Sequence, residues 1–151
     1  MKLTKREFFA VGGGAAAFVA FGGVSLEALA ADDAVKKSIE AFAGGKTPAS
    51  GKVSLTTPEI AENGNTVPIT FDVESPMSKD NYVASVMLLA AGNPNPGVAT
   101  FHFSPMSGEA SATTRIRLAK TQDVIAVAKM SDGSVFIDKK LVKVTIGGCG
   151  G

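Results

Sequence analysis

The chain has 151 residues, enough for one domain, and 45% of them are apolar, the share of an ordinary folded core. Its 15 basic and 14 acidic side chains nearly cancel, so charge offers no case for nucleic acid or an anionic membrane as partner. Aromatic residues make up 7% and tryptophan is lacking, which leaves no stacking platform for bases.

The first 30 residues are expected to be a cleaved export signal. Lys2, Lys5 and Arg6 form a basic start, a Gly/Ala-rich apolar stretch runs over 8–24, and Ala28-Leu29-Ala30 offers the small-x-small pattern of a cleavage site. Gly12-Gly13-Gly14 and Gly22-Gly23 interrupt the stretch, whereas a spanning helix needs about 20 strongly apolar residues. Thr4-Lys5-Arg6-Glu7-Phe8-Phe9 resembles a twin-arginine signal with Lys5 in place of the first arginine. That route moves folded proteins. Without Lys2, Lys5, Arg6, Glu7 and Glu27, the remainder carries 12 basic and 12 acidic side chains. The periplasm is the expected location, with no membrane association.

Residues 31–52 are expected to form a helix and a linker. Asp32-Asp33 can cap a helix whose Val35, Ile39 and Phe42 fall on one face, and Gly44-Gly45 supplies the stop. Pro48 and Gly51 mark 46–52 as the linker. From Val53 the pattern changes to strands: 53–55, 67–73, 82–91, 98–103, 111–118, 124–130 and 135–146. Asn63-Gly64 reads as a turn, 92–97 is dense in turn formers, and Asp132-Gly133 signals a two-residue hairpin loop. About seven short strands without intervening helices predict a mainly β fold, an antiparallel immunoglobulin-like β-sandwich over 53–146. The Cys…Trp…Cys signature of antibody domains is lacking, so the expectation concerns architecture alone.

The one cysteine, Cys149, sits in Gly147-Gly148-Cys149-Gly150-Gly151. An exported protein usually pairs its cysteines or loses them, so a lone thiol needs an explanation. Glycine is the residue whose backbone costs most to order, so 147–151 are expected to be a flexible arm that does not fold onto the domain. Three residues beyond Ile146 reach about 10 Å. No histidine or arginine lies near in sequence, and an unassisted thiol with pKa about 8.5 is only slightly ionised at neutral pH. Catalytic thiols need an adjacent base and an orienting group. The pattern therefore fits a covalent attachment point served by partner proteins, with no catalytic residue in the chain itself. An intermolecular disulfide and a thiol enzyme are the rival classes.

Other candidates are weaker. His102, the only histidine, lies between Phe101 and Phe103 on an expected strand, pointing to the surface, and the chain offers too few nitrogen and sulfur ligands for a metal site. Asp72, Glu74, Asp132 and Asp138 are scattered on turns and strand edges, where solvation is their expected role. Met77, Met87, Met106 and Met130 are expected as core or interface filler.

A Gly-Gly-Cys-Gly-Gly terminus after Val142-Lys143-Val144-Thr145-Ile146, on an exported β-sandwich, resembles the SoxY family, the sulfur carriers of the thiosulfate-oxidising Sox system. The resemblance covers the whole chain, from the twin-arginine-like start to the tail. It implies that Cys149 accepts thiosulfate as an S-thiosulfonate, with Gly147, Gly148, Gly150 and Gly151 as its arm. No cofactor is implied beyond the covalently bound sulfur. A c-type haem enzyme would make the conjugate, a thiosulfohydrolase with a metal site would release sulfate, and a sulfur dehydrogenase would oxidise the remaining sulfane sulfur. A SoxZ-like β-sandwich subunit is the implied heterodimer partner, with Val86-Met87-Leu88-Leu89-Ala90-Ala91 as a candidate pairing face or a buried core strand.

Overall fold

The computed structural model describes residues 33–148. The expected export signal and its cleavage site, Asp32, and Cys149, Gly150 and Gly151 lie outside the described residues.

The chain opens on helix α1 (Asp33–Ala43), with Asp33 in its first turn, where a carboxylate complements the helix dipole. Gly44 and Gly45 end the helix with φ of 63° and 82°, and the Gly45 amide donates back to the Glu40 carbonyl. Eight strands follow: β1 (Val53–Thr56), β2 (Ile60–Ala61), β3 (Val67–Val73), β4 (Val83–Ala90), β5 (Gly97–His102), β6 (Ala110–Ile116), β7 (Gln122–Met130) and β8 (Val135–Val144). They form a three-stranded sheet in the order β1-β3-β6 and a five-stranded sheet in the order β2-β8-β7-β4-β5. The mainly β sandwich expected from strand spacing is therefore present. One strand escaped the pattern: β2 is two residues long and pairs in parallel with β8, while the other strand pairs are antiparallel.

Two apolar clusters hold the layers together. Between the sheets, alternate residues of β3 (Val67, Ile69, Phe71, Val73) meet Val86, Leu88, Val124, Ala126 and Val142. Phe71 lies at the centre, with Phe101 and Phe103 edge-on to its ring at 5.1 and 6.2 Å between centroids. On the outer face of the larger sheet, Val35, Ile39 and Ala43 of α1 cover Leu89, Ile125, Val127, Val135 and Ile137. Phe42, expected on the buried stripe, is only half-buried, and Ala43 completes the stripe instead. A helix on one face and a sheet on the other explain why β4 and β7 are apolar almost throughout rather than alternating. The run from Val86 to Ala91 is consequently interior. β4 lies between β7 and β5, and most of its apolar side chains are taken up by the two clusters, with Met87 and the following Ala91 half-buried, which favours the buried core strand over the pairing face.

The segment 46–52 is less free than a linker. Ala49 forms a parallel bridge with Phe136, donating to the Val135 carbonyl and accepting from the Ile137 amide, and Pro48 is buried. Asp138 also does more than meet solvent: its carboxylate accepts the Leu55 amide at 2.9 Å, tying β1 of one sheet to β8 of the other. The β7–β8 hairpin turns at Asp132-Gly133, but the Met130 amide bonds to the Ser134 carbonyl and leaves a three-residue loop. A two-residue type I′ loop needs positive φ at both central residues, and here only Gly133 has it. The Ser134 hydroxyl, then the Ser134 amide, hold the Asp132 carboxyl below its ordinary value of 3.8. That contribution is fully present at neutral pH and is lost as acid protonates the carboxylate. Of the methionines, Met77 and Met130 are buried and Met87 packs under α1, whereas Met106 projects 96% exposed from a 3₁₀ turn at Pro105–Ser107.

Because Ile39 is 1% exposed between α1 and the sheet, Ile39→Ala should cost about 2–5 kcal/mol. Exposed Glu40→Ala on the same helix should stay within about 0.5 kcal/mol. Urea unfolding midpoints of the two variants check the docking of the helix.

Candidate functional site

The tail leaves β8 at Val144 and is held by main-chain bonds from two neighbouring loops. Thr145 donates its amide to the Ala61 carbonyl at 3.1 Å and its hydroxyl to Glu62 at 3.2 Å. The Ile146 carbonyl accepts the Gly64 amide at 2.8 Å. The Gly148 amide donates to the Leu118 carbonyl at 3.0 Å, and the Leu118 amide donates to the Gly64 carbonyl at 2.8 Å. Residues 145–148 thus run between the Asn63-Gly64 turn and the loop that joins β6 to β7.

This corrects the expectation that the tail hangs free from Ile146. Gly148 is buried, and a Cβ there would come within 2.9 Å of the Gly64 carbonyl oxygen and 3.1 Å of Asn65 Oδ1. A Cβ on Gly147 would run into the Ala119 carbonyl oxygen. These two glycines permit close approach of backbone to backbone, a use of glycine as common as mobility. Cys149, Gly150 and Gly151 lie outside the described residues, and the chain leads to them from Gly148, whose amide is bonded to Leu118.

Each loop of this cradle has its own support. The Asn63 side chain accepts the Asn65 amide at 3.0 Å and shapes the turn around Gly64. Asn93, 7% exposed, anchors the other side. Its Nδ2 donates to the Arg117 carbonyl at 2.8 Å, and its Oδ1 accepts the Ala119 amide and Gln122 Nε2, both at 2.9 Å. Gln122 in turn donates to the Lys120 carbonyl and accepts the Gly92 amide. Thr121 adds a bond to β8, its hydroxyl accepting the Val144 amide at 2.9 Å. The Asn93 and Gln122 side chains therefore hold the loop of Leu118 and Ala119, against which the two glycines lie.

The surface around the base of the tail sets exposed apolar side chains among charged ones, with Glu59, Glu62 and Lys143 close by. Ile60 (57% exposed) pairs across the β2–β8 ladder with Lys143, and Leu141 (55%) follows on the same face of β8. Ile146 is 70% exposed. Beside the Asn63-Gly64 turn, a surface hollow of about 430 Å³ is lined by Pro58, Ile60, Ala61, Thr66 and Pro68.

The remaining candidates stay apart from the tail. His102 is exposed at the end of β5, between half-buried Phe101 and Phe103, as the alternation implies. β5 is three strands from β8, about 14 Å across the sheet. Asp72 pairs across the ladders with Ser54 and Ser111 in the smaller sheet, and Glu74 is exposed beyond it. Among the described residues no three His, Cys, Asp or Glu side chains come together where a metal ion could be held. No helix among them is long and apolar enough to cross a membrane. Asn93 and Gln122 gave no sequence signal as site residues, because a turn-rich run such as 92–97 looks the same with or without a buried amide network.

The architecture is shared beyond carriers. A superoxide reductase (neelaredoxin) from Ignicoccus hospitalis is 19% identical, with a TM-score of 0.56 over 63% of this chain and 81% of its own. A superoxide reductase from Nanoarchaeum equitans is 20% identical, with a TM-score of 0.51 over 64% of this chain and 97% of its own. At those identities the likeness is one of fold. The sulfur carrier protein SoxY from Chlorobium limicola f thiosulfatophilum is nearer in sequence at 29% identity, with a TM-score of 0.61 over 74% of this chain and 96% of its own. A search of curated proteins finds no match. The family model described as sulfur oxidation protein SoxY matches residues 39–149, from within α1 to Cys149 itself. The chain belongs to the SoxY family.

Asn93→Ala leaves the Ala119 amide without its acceptor and Gln122 Nε2 with one of its two, and should cost about 1–3 kcal/mol in unfolding free energy. Asn95→Ala, at an exposed position of the same turn, should stay within about 0.5 kcal/mol by the same urea titration.

Proposed function

We propose that this chain is a covalent carrier of sulfur intermediates in thiosulfate oxidation, with Cys149 as the attachment point. The observation that carries the proposal is the family match, which runs through the domain and ends on the only thiol of the chain. The described residues support it in one further way: the chain runs toward Cys149 along a main-chain path held by the Gly64 turn and the Leu118 loop.

The chemistry needs little from the carrier. The Cys149 sulfur bonds to the outer sulfur of thiosulfate, giving the S-thiosulfonate Cys149–S–S–SO₃⁻ while one proton and two electrons leave. A c-type haem partner takes up the electrons. Attack of water on the terminal sulfur then releases sulfate and two protons and leaves the persulfide anion Cys149–S–S⁻. That step belongs to a thiosulfohydrolase, and a sulfur dehydrogenase oxidises the sulfane sulfur that remains. A thiol without an adjacent base suits this passive part, because it is neither a strong nucleophile toward bystanders nor the source of catalysis. A SoxZ-like subunit is the proposed partner. Since β4 is interior, such a subunit has to meet another face, and the exposed apolar side chains Ile60, Leu141 and Ile146 lie beside the tail. The proposed setting is the periplasm, reached by the twin-arginine-like leader as a folded pair.

The test is genetic and biochemical. Cells carrying Cys149→Ser should lose thiosulfate oxidation, while the purified wild-type chain should show no turnover of thiosulfate by itself. Retained oxidation in the Cys149→Ser strain would contradict the carrier role, and turnover by the isolated chain would make it an enzyme.

A further inference from the structure

We propose that Gly64 is a positioning residue for the carrier thiol: with Leu118 it forms a main-chain clamp on Gly147 and Gly148 that sets the reach of the arm. The use of the clamp in sulfur transfer rests on the carrier role proposed above, but its existence does not.

The clamp consists of backbone alone. Gly64 gives its amide to Ile146 and takes that of Leu118, and the Leu118 carbonyl takes the Gly148 amide. Gly64 does not need glycine for a left-handed φ; it needs it for space. A Cβ at this position would fall against the Leu118 carbonyl oxygen, 2.7 Å from the Gly148 nitrogen and 3.0 Å from Val144 Cγ1. Two of those obstacles are main-chain atoms, which cannot swing aside as the end of a flexible side chain would. Alanine at 64 therefore displaces the loop, the tail or the turn that carries it. The loop is tied down by Asn93, Gln122 and Thr121. With the Leu118 carbonyl fixed, the turn that carries residue 64 has to withdraw, which breaks its bonds to Ile146 and Leu118 and opens one side of the clamp on the tail.

Shut and open states give the thiol different working ranges. With Gly148 held, the Cys149 Cα is one peptide, about 3.8 Å, from a fixed point. With the clamp open, three residues span about 10 Å from Ile146. The shut state presents the adduct close to the domain surface, and a partner enzyme with a recessed active site has to engage the open one. No side chain interlocks at the contact, so opening leaves the core undisturbed.

Backbone amide hydrogen exchange of the full chain tests the clamp in the wild type, and a nitroxide label on Cys149 tests its consequence. The Gly148 amide should exchange at least roughly tenfold more slowly than an unstructured glycine, and the label should show restricted motion. In Gly64→Ala the protection should vanish and the label should tumble several-fold faster, with amides of β3 and β7 still protected. If Gly64→Ala does not fold, Gly147→Ala applies the same wedge from the tail, against the Ala119 carbonyl, and should free the label in an intact domain. A Gly148 amide that exchanges at the unstructured rate in the wild type would overturn the proposal. So would a label equally mobile in the wild type and the glycine variants. Neither readout depends on sulfur loading, so failure of the clamp is distinguishable from failure of the carrier role.

Discussion

The path of the described tail depends on a main-chain contact among three segments far apart in sequence: the turn at Gly64, the loop at Leu118 and the tail at Gly148. Only glycine allows backbones to come so close, and the three glycines Gly64, Gly147 and Gly148 supply the room. Backbone hydrogen bonds of this kind stabilise by only about 0.5–1.5 kcal/mol each. Such a contact is strong enough to define a starting point for the arm and weak enough to be opened by a partner. A side-chain anchor would have bound the tail more firmly and limited what it could reach.

The domain behind the contact is built to keep that starting point still. The five-stranded sheet is covered on both faces, by α1 outside and by the smaller sheet inside, so its central strands β4 and β7 are buried on two sides. β8 extends from this rigid interior and delivers the tail directly. Asn93 and Gln122 convert the turn-rich run after β4 into a buttress for the β6–β7 loop. Buried amide groups must find partners, and here the partners are the backbone groups of the loop that holds the tail.

Much of this was legible in the residues. Alternation in 67–73, the turn signals between the strand runs, and the helical spacing of Val35 and Ile39 gave the sandwich and the helix that docks on it, because burial of one face imposes those periods. Lost were features that depend on contact between distant segments. Two residues of β2 carry no periodicity, and Ala49 joins β8 from a stretch whose Pro48 and neighbouring Gly51 suggest a free linker. The site was half legible. Cys149 stands out by its setting alone, whereas the glycines before it are compatible with either mobility or close packing. Sequence cannot separate the two, since both need the same missing side chain, and the seat of Gly148 depends on a carbonyl 30 residues earlier in the chain.

The family match supports the proposed reading of a domain that carries sulfur on Cys149 and leaves the chemistry to its partners. The most direct test of that claim is mass spectrometry of the tryptic peptide 144–151 from cells oxidising thiosulfate. The account predicts adducts on Cys149 of the mass of sulfur or of thiosulfate, absent from cells grown without thiosulfate. Only free thiol, or only a disulfide to a second protein, would contradict it.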